Sequence, residues 1–243
     1  GLTLAMDLAQ RGIQVVVAEV RPRGEAPAVK CNHVSARTME IWRRLGLAQT
    51  MRNTGLPADY PNDVAYRTRF VGEELSRIPI PARQDRYTAT GGPDTWWPTP
   101  EPPHRINQIF LEPVLFEFAA ATPGVTILSR TQMEQFSQDA QGVTCTGVNL
   151  DTGEPVTVRS QFLIGCDGGK SSVRKWMGAK LSGTDVVGRV QSTYFRAPSL
   201  YARQQHKPAW ATFSINATRS GNVYAIDGRE TWLLHNYLFF RLP

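Results

Sequence analysis

The segment Leu163-Ile164-Gly165-Cys166-Asp167-Gly168-Gly169-Lys170-Ser171-Ser172-Val173-Arg174 joins an apolar run to a polar stretch through an Asp-Gly turn. The apolar run predicts a strand, and the residues after Ser171 predict a helix. Glycines let a ligand approach the backbone closely, and the start of a helix offers free N–H groups to a phosphate. The turn is therefore a candidate phosphate site. The alternative is an ordinary strand-to-helix turn that Asp167 caps.

The start of the chain predicts the second half of a Rossmann βαβ unit. Apolar side chains recur at helical spacing from Leu2 to Gly12, and residues 13–19 form a β-branched run typical of a buried parallel strand. In such a unit an acid that binds a ribose follows the glycine fingerprint by about 20 residues. Gly1 and Glu19 match that spacing, while the first strand and earlier glycines have no counterpart. The chain is therefore expected to be an internal fragment; the alternative is a truncated helix and a Glu19 without function.

Two further stretches complete a pattern, Lys30 to Ile41 (KCNHVSARTMEI) and Arg105 to Glu112 (RINQIFLE). Together with the Asp167-Gly168 turn, in this order and spacing, the chain resembles the single-component FAD-dependent aromatic hydroxylases. This is the flavoprotein monooxygenase family of para-hydroxybenzoate hydroxylase and phenol hydroxylase. The resemblance covers nearly all 243 residues. The family's later Gly-Asp motif has no counterpart before Pro243, so the polypeptide by itself is expected to be inactive.

The resemblance implies that the Asp-Gly turn binds cofactor. Asp167, Gly168 and Arg174 match the family turn that the flavin and the pyrophosphate of the pyridine nucleotide both approach. With Gly1 and Glu19, these residues are expected to form one end of the FAD site.

The resemblance also implies cofactor contacts in the two middle stretches. Gln108 is expected to approach the flavin and Arg105 to lie near the flavin phosphates; the alternative for both is a surface helix start. A basic residue ahead of the second helix is expected to meet the pyrophosphate. Lys30 and Arg37 are the two candidates, between which the sequence does not choose, and a solvated side chain is the alternative for either.

An α/β fold is implied, with a Rossmann-like FAD-binding domain that carries an inserted antiparallel meander, plus a β-sheet substrate domain. We expect the FAD-binding domain at residues 1–63 and 105–184, and the substrate domain at residues 64–104 and 185–243. The apolar spacing predicts helices at 35–47, begun by Ser35, and at 109–121, where Pro113 is tolerable only if it falls in the first turn. The predicted strands after residue 60 lie at 64–70, 74–80, 125–128, 131–137, 142–150, 156–163, 189–195, 209–215, 222–226 and 231–237.

Composition excludes several classes of protein. The net charge of +6 comes from basic residues scattered among acids, so nucleic-acid binding is not expected, whereas a mildly positive cleft would attract FAD, NADPH or a phenolate. No apolar stretch is long enough for a membrane span. Cys31, Cys145 and Cys166 lack metal-ligand spacing and are expected to be free thiols in a reducing, cytoplasmic compartment. A targeting peptide is not excluded, because the true N-terminus is expected to be absent.

The implied reaction inserts one oxygen atom of O2 into a small aromatic substrate, with NADPH or NADH reducing FAD and a flavin C4a-hydroperoxide transferring the oxygen. The protein's share is to position the ring, exclude water and favour the phenolate. No acid, base, nucleophile or metal ligand is assigned. A flavin halogenase is not favoured, because the motifs expected of that enzyme are not found in this sequence. A flavin reductase of the same fold and a catalytically silent fragment remain as alternatives.

Substrate-side residues are less well determined by the sequence. Trp96 and Trp97, in the long irregular stretch 81–104, could line a substrate entrance, although packing onto their own domain is the commoner arrangement. His206 and His235 are candidates for a proton path, with a structural role as the alternative. The sequence leaves the substrate, the choice between NADPH and NADH and the oligomeric state open, and a homodimer is compatible with it.

Overall fold

A computed structural model describes residues 1–25, 27–30, 32–184 and 186–238 of the chain. The helices are α1 (Leu2–Ala9), α2 (Ala36–Arg44), α3 (Ala48–Arg52), α4 (Gln108–Ala120) and α5 (Ser172–Trp176). The strands are β1 (Val15–Glu19), β2 (Val64–Arg67), β3 (Glu74–Ile78), β4 (Val125–Ser129), β5 (Thr131–Asp139), β6 (Gly142–Asn149), β7 (Pro155–Ser160), β8 (Arg189–Arg196), β9 (Ala211–Ser214), β10 (Gly221–Ala225) and β11 (Thr231–Leu238).

The chain divides into two compact units. The first unit comprises Gly1–Ala26 and Leu115–Asp185, and the second comprises Pro27–Val114 and Val186–Pro243. Residues 27–63 and 105–114, which the sequence assigns to the FAD-binding domain, fall in the second unit. Compactness and cofactor binding are different criteria, so the functional domain boundaries stay a prediction.

The first unit contains a parallel strand pair and an antiparallel meander. β1 pairs with β4 in parallel, from Val15 opposite Val125 to Glu19 opposite Ser129, and α1 packs on both strands. β5, β6 and β7 form a three-stranded antiparallel sheet. The predicted helix–strand start and the inserted meander are confirmed, and the α/β fold class with them.

The second unit is built on a six-stranded sheet in the order β3-β2-β9-β10-β11-β8. β2 lies parallel to β9, and the remaining neighbours are antiparallel. Period-two alternation gives the sheet two different faces, since successive side chains point to opposite sides. One face buries Val223, Ala225 and Trp232 against Leu56 and Tyr60, which forms the hydrophobic core of this unit.

Two details of the sequence prediction are wrong. The strand expected at 156–163 ends at Ser160, and residues 161–168 have no regular secondary structure. Phe162 and Ile164 are 80% and 54% exposed, and no described strand pairs with this segment to supply ladder hydrogen bonds. Pro113 lies beyond the first turn of α4, which begins at Gln108, so the carbonyl of Ile109 lacks its usual helical donor.

Other predicted features have a direct local cause. The Ser35 hydroxyl accepts a hydrogen bond from the Thr38 N–H at 3.2 Å, which caps α2 as expected. Cys145 is a buried free thiol and Cys166 an exposed one, whereas Cys31 lies outside the described residues. Within the described ranges, no helix combines the length and apolar character needed to cross a membrane.

Candidate functional site

Asp167 organises the turn that precedes α5. Its Oδ2 accepts hydrogen bonds from the backbone N–H of Ser172 at 2.6 Å and of Val173 at 3.1 Å, and its Oδ1 accepts one from the Ser171 hydroxyl at 2.5 Å. The Ser171 hydroxyl in turn accepts from the Arg174 N–H at 3.0 Å. The first N–H groups of α5 are therefore already bonded, and the expectation that they are free for a phosphate is wrong.

The electrostatics of the turn favour an ionised Asp167. Desolvation alone would raise the pKa of this carboxyl, but the hydrogen bonds from Ser171, Val173 and Ser172 outweigh it and lower the pKa. The Arg174 guanidinium also belongs to the turn, since its NH1 donates to the Gly169 carbonyl at 2.9 Å. Asp167 and Arg174 thus fix opposite charges on one short segment.

Two glycines make this conformation accessible. Gly168 has a φ of +77°, a value that L side chains rarely adopt. A Cβ on Gly165 would lie 2.9 Å from Val173 Cβ, closer than two carbon atoms pack. Only glycine therefore fits at residue 165 while α5 stays in place.

Gly1 lies next to the Asp167 turn, as the sequence predicts for two halves of one site. A Cβ built on Gly1 would be 3.6 Å from Cys166 Cβ, an ordinary van der Waals distance. Gly1 is the N-cap residue of α1 and supplies no side-chain cap, while its carbonyl accepts the Ala5 N–H at 2.9 Å. The N-terminus of α1, which carries the positive end of the helix dipole, thus lies at this turn. It is not capped by a side chain of its N-cap residue.

Glu19 ends β1, at the carboxyl edge of the parallel pair. Its Oε1 accepts hydrogen bonds from the Arg21 backbone N–H at 2.9 Å and from Arg21 Nε at 3.3 Å. The carboxylate is about one-third exposed, and a carboxylate has about four acceptor positions. Glu19 is therefore held in place and can still accept hydroxyl donors.

In the second unit, Lys30 and Gln108 are neighbours through the backbone. The Gln108 N–H donates to the Lys30 carbonyl at 3.0 Å, and the Gln108 side-chain amide donates to Glu112 at 2.8 Å. Arg37 instead points outward on α2, 73% exposed, and its NH1 donates to Glu40 at 2.6 Å. Of the two basic candidates, Lys30 is thus the one that the fold brings to Gln108.

The Arg105 side chain packs on an aromatic ring and bonds to an acid of the second unit. Its guanidinium carbon lies 4.6 Å from the centre of the Trp210 ring, and its NH2 donates to Asp94 Oδ2 at 3.0 Å. Asp94 accepts a second hydrogen bond at the same oxygen from Arg86, whose guanidinium covers Trp97 at 5.7 Å. Trp97 therefore packs within its own unit, while Trp96 is 81% exposed.

Besides His235, the sheet face opposite the core carries aromatic and hydrogen-bonding side chains that the sequence did not single out. Asn222 lies opposite both Phe213 and His235 in the sheet register, and paired residues share a face. Phe213 stacks on Tyr66 with centroids 5.4 Å apart, and Asn222 accepts a hydrogen bond from Tyr237 at 2.9 Å. The period-two alternation of these strands was the available signal, but it does not say which face binds a ligand.

His235 occupies this face, whereas His206 lies in the loop before β9. Nδ1 of His235 is 2.8 Å from the Ser192 hydroxyl, and its ring lies 5.6 Å from that of Tyr224. Burial lowers the pKa of His235, so the imidazole is neutral at pH 7. A neutral His hydrogen-bonded to a hydroxyl can accept or donate one proton.

Comparison with known proteins places this geometry in a family. The FAD binding domain family matches residues 1–238. The chain is 28% identical to the FAD-dependent monooxygenase apdD of Emericella nidulans over 98% of its own length and 39% of the relative. It is 30% identical to a phenol 2-monooxygenase of Pseudomonas sp. (strain EST1001), over 75% of the chain and 29% of the relative.

A solved structure gives the same result. The rebeccamycin biosynthetic enzyme RebC with reduced flavin superposes with a TM-score of 0.84 at 29% identity, over all of this chain and 45% of RebC. The chain thus spans less than half the length of each of these proteins. Since a family match covers nearly every residue and includes both the Gly1 helix and the Asp167 turn, this chain belongs to the FAD binding domain family, whose relatives include FAD-dependent monooxygenases.

Proposed function

We propose that the chain is the FAD-binding and substrate-sheet portion of a monooxygenase that hydroxylates a phenol-like aromatic substrate with NADPH or NADH and O2. The observation that carries the aromatic substrate is the non-core face of the six-stranded sheet. There, Tyr66 and Phe213 stack, and the polar pairs Tyr237–Asn222 and Ser192–His235 accompany them. Aromatic rings with a few placed polar groups are the usual lining of a site for a flat, hydroxylated ligand.

The residues of the first unit fit FAD. The end of α1 at Gly1 has no side-chain cap, which suits a diphosphate at the positive end of the helix dipole. Glu19 would accept the ribose hydroxyls, as the acid of a Rossmann unit does. Asp167, Gly168 and Arg174 would hold the turn against the cofactor, with Asp167 acting through the backbone that it fixes.

In the second unit, we propose that Gln108 contacts the flavin and that Lys30 contacts the pyrophosphate. Arg37 is the less favoured basic residue, because it pairs with Glu40. Bound FAD would supply the redox chemistry that activates O2. The chain's own residues would bind the ring, exclude water and handle the hydroxyl proton. The neutral His235, hydrogen-bonded to Ser192, would accept that proton.

The test uses the complete gene product purified with FAD. NADPH and NADH oxidation, O2 uptake and incorporation of isotopically labelled oxygen are measured with a panel of phenols. We expect at least one phenol to stimulate O2 uptake and to gain one labelled oxygen atom. Oxidation of NAD(P)H without incorporation into any aromatic compound would instead indicate a flavin reductase, and absence of bound FAD would indicate a silent domain.

A matched pair of variants tests the cofactor site. Glu19→Gln removes the charge of the ribose acceptor, and Glu134→Gln makes the same change at an exposed residue of β5. We expect Glu19→Gln to weaken FAD binding by about 10-fold, in line with the loss of a charge-assisted hydrogen bond. Equal FAD affinity in the two variants would refute the role of Glu19.

A further inference from the structure

Arg105 is a buried cation with unused donors. Its side chain is 10% exposed, and among the described residues its hydrogen bond goes from NH2 to Asp94. Nε and NH1 are both buried, and neither has a partner among the described residues. A guanidinium has five N–H donors, so three of them, one on Nε and two on NH1, face no acceptor in the part of the chain that the structure describes. Burying such donors without an acceptor is unfavourable, which indicates that a ligand supplies one.

The charges around Arg105 also indicate that an anionic ligand is missing. Asp94 Oδ2 is 3.0 Å from NH2 of Arg105 and 3.0 Å from NH2 of Arg86. Arg86 is almost fully buried, and its NH1 also donates to the Asp94 carbonyl at 3.0 Å. Two guanidiniums therefore share one carboxylate, which leaves an excess of one positive charge. A single anionic group would balance it.

The surroundings indicate which kind of anion fits. Arg105 lies on the face of Trp210, whose ring centre is 5.1 Å from that of Tyr224, and Tyr224 adjoins His235. The cation thus stands at the end of a row of aromatic rings that leads into the candidate substrate face. A diphosphate would bring about two charges and no ring, whereas an aromatic compound with one acidic group matches both the rings and the single excess charge.

We propose that Arg105, seated on Trp210, binds an acidic oxygen of the aromatic substrate, either a ring carboxylate or an ionised phenol, and so makes the enzyme select anionic substrates. This inference rests on the proposed function, which it deepens by naming the substrate class. It gives Arg105 a role different from the phosphate contact that the family resemblance implies. Gln108, three residues later, keeps its proposed contact with the flavin.

The experiment titrates the FAD-loaded complete gene product with matched aromatic pairs, followed by flavin absorbance. One pair is 2-naphthoate and the neutral 2-naphthamide, and the other is 4-nitrophenolate and the neutral 4-nitroanisole. We expect the wild-type protein to prefer the charged member of at least one pair, and the pair that shows the preference distinguishes a carboxylate from a phenolate. No preference in either pair would overturn the proposal.

Arg105→Met keeps much of the side-chain volume on Trp210 and removes the charge. We expect it to weaken binding of the preferred anion by about 10- to 100-fold and of its neutral partner by less than about threefold. Arg196→Met, which removes an exposed guanidinium of β8 paired with Glu230, is the control and should keep the wild-type preference. A preference that survives Arg105→Met would overturn the proposal.

Two further variants and measurements distinguish this proposal from other roles of Arg105. If Arg105→Met lowers FAD affinity while anion preference persists, Arg105 holds a cofactor phosphate and the proposal is wrong. Arg105→Lys keeps the charge without the guanidinium plane and should retain part of the preference even if Arg105→Met does not fold; complete retention would refute the need for the guanidinium. If the proposed function itself is wrong, the wild-type protein will lack either bound FAD or oxygen transfer, whatever the behaviour of the Arg105 variants.

Discussion

Replacing Gly165 with alanine tests whether the packing beneath the Asp167 turn maintains the FAD site. The added Cβ would lie 2.9 Å from Val173 Cβ, 3.1 Å from Val173 Cγ1 and 3.3 Å from Asp167 Oδ1. Val173 belongs to α5, and its Cβ cannot move without the helix. The helix, and with it the cap formed by Asp167, must therefore shift.

The magnitude follows from the cost of overpacking, which is about 1–3 kcal/mol for an inserted methyl group in a packed site. If FAD binds only the unshifted turn, the same free energy appears as about 5- to 150-fold weaker FAD binding. The assay is fluorescence titration of the FAD-free complete gene product with FAD. Gly169→Ala is the control, because a Cβ there would meet no atom within 4 Å.

A double-mutant cycle separates this clash from general damage. Val173→Gly removes the atom that the new Cβ meets and by itself costs about 1 kcal/mol of helix propensity. We expect the variant with both changes to bind FAD more tightly than Gly165→Ala alone, since the two sites are in contact and their effects are coupled. Additive effects, or a Gly165→Ala variant as tight as Gly169→Ala, would refute the reasoning.

Three other predictions concern both units. Burial, followed by the charge of Arg52, lowers the pKa of His104 from 6.5 to about 3, so the folded protein excludes a proton that the unfolded chain binds below pH 6.5. Stability should therefore fall as the pH falls, by about 2 kcal/mol between about pH 7 and pH 5, and His104→Gln should lose this dependence in urea titrations; an unchanged slope would contradict it. Asp167→Asn removes the charge and replaces one carboxylate oxygen with an NH2 donor, so that either the Ser171 hydroxyl or the N–H groups of Ser172 and Val173 lose their acceptor. This change should weaken FAD binding about 10-fold, whereas Asp151→Asn on an exposed turn should not. Arg67 is fully buried and bonded to Glu74 and to the carbonyls of Phe70 and Lys207. Arg67→Met leaves Glu74 and the Lys207 carbonyl bonded to Arg77 but removes the donor of the Phe70 carbonyl, and should therefore lower stability by about 1–3 kcal/mol; a urea midpoint equal to that of Arg196→Met would refute this.

Local signals in the sequence predicted the elements well, because their causes are local. Ser35 caps α2 through a residue three positions away, and the alternation of the strands after residue 189 follows from the pleat of a sheet. The segment before Asp167 failed for the opposite reason. A strand needs a partner, and the composition of residues 161–166 does not reveal that no described strand pairs with them.

The side-chain contacts of the candidate site residues depend even more on tertiary structure. Arg105 and Gln108 share a short motif, and the resemblance therefore gives them neighbouring roles at the cofactor. In the fold, the Arg105 guanidinium lies on Trp210, more than 100 residues away in sequence, and bonds to Asp94 in the irregular stretch 81–104. Such contacts depend on tertiary structure, so a motif can identify the residue without identifying what its side chain meets.

The Asp167 turn shows why a motif and a binding group need not coincide. A capped helix end that carries a carboxylate repels a second anion, since like charges at close range are unfavourable. The Asp167 carboxylate occupies the N–H groups at the start of α5, and the diphosphate of FAD is therefore expected at the other helix end of the site, where Gly1 begins α1 beside Cys166. Asp167 would then contribute to FAD binding by fixing the backbone of residues 165–172, and Gly1 and α1 would contribute the charge complementarity. The predicted effects of Gly165→Ala and Asp167→Asn on FAD affinity both follow from this division.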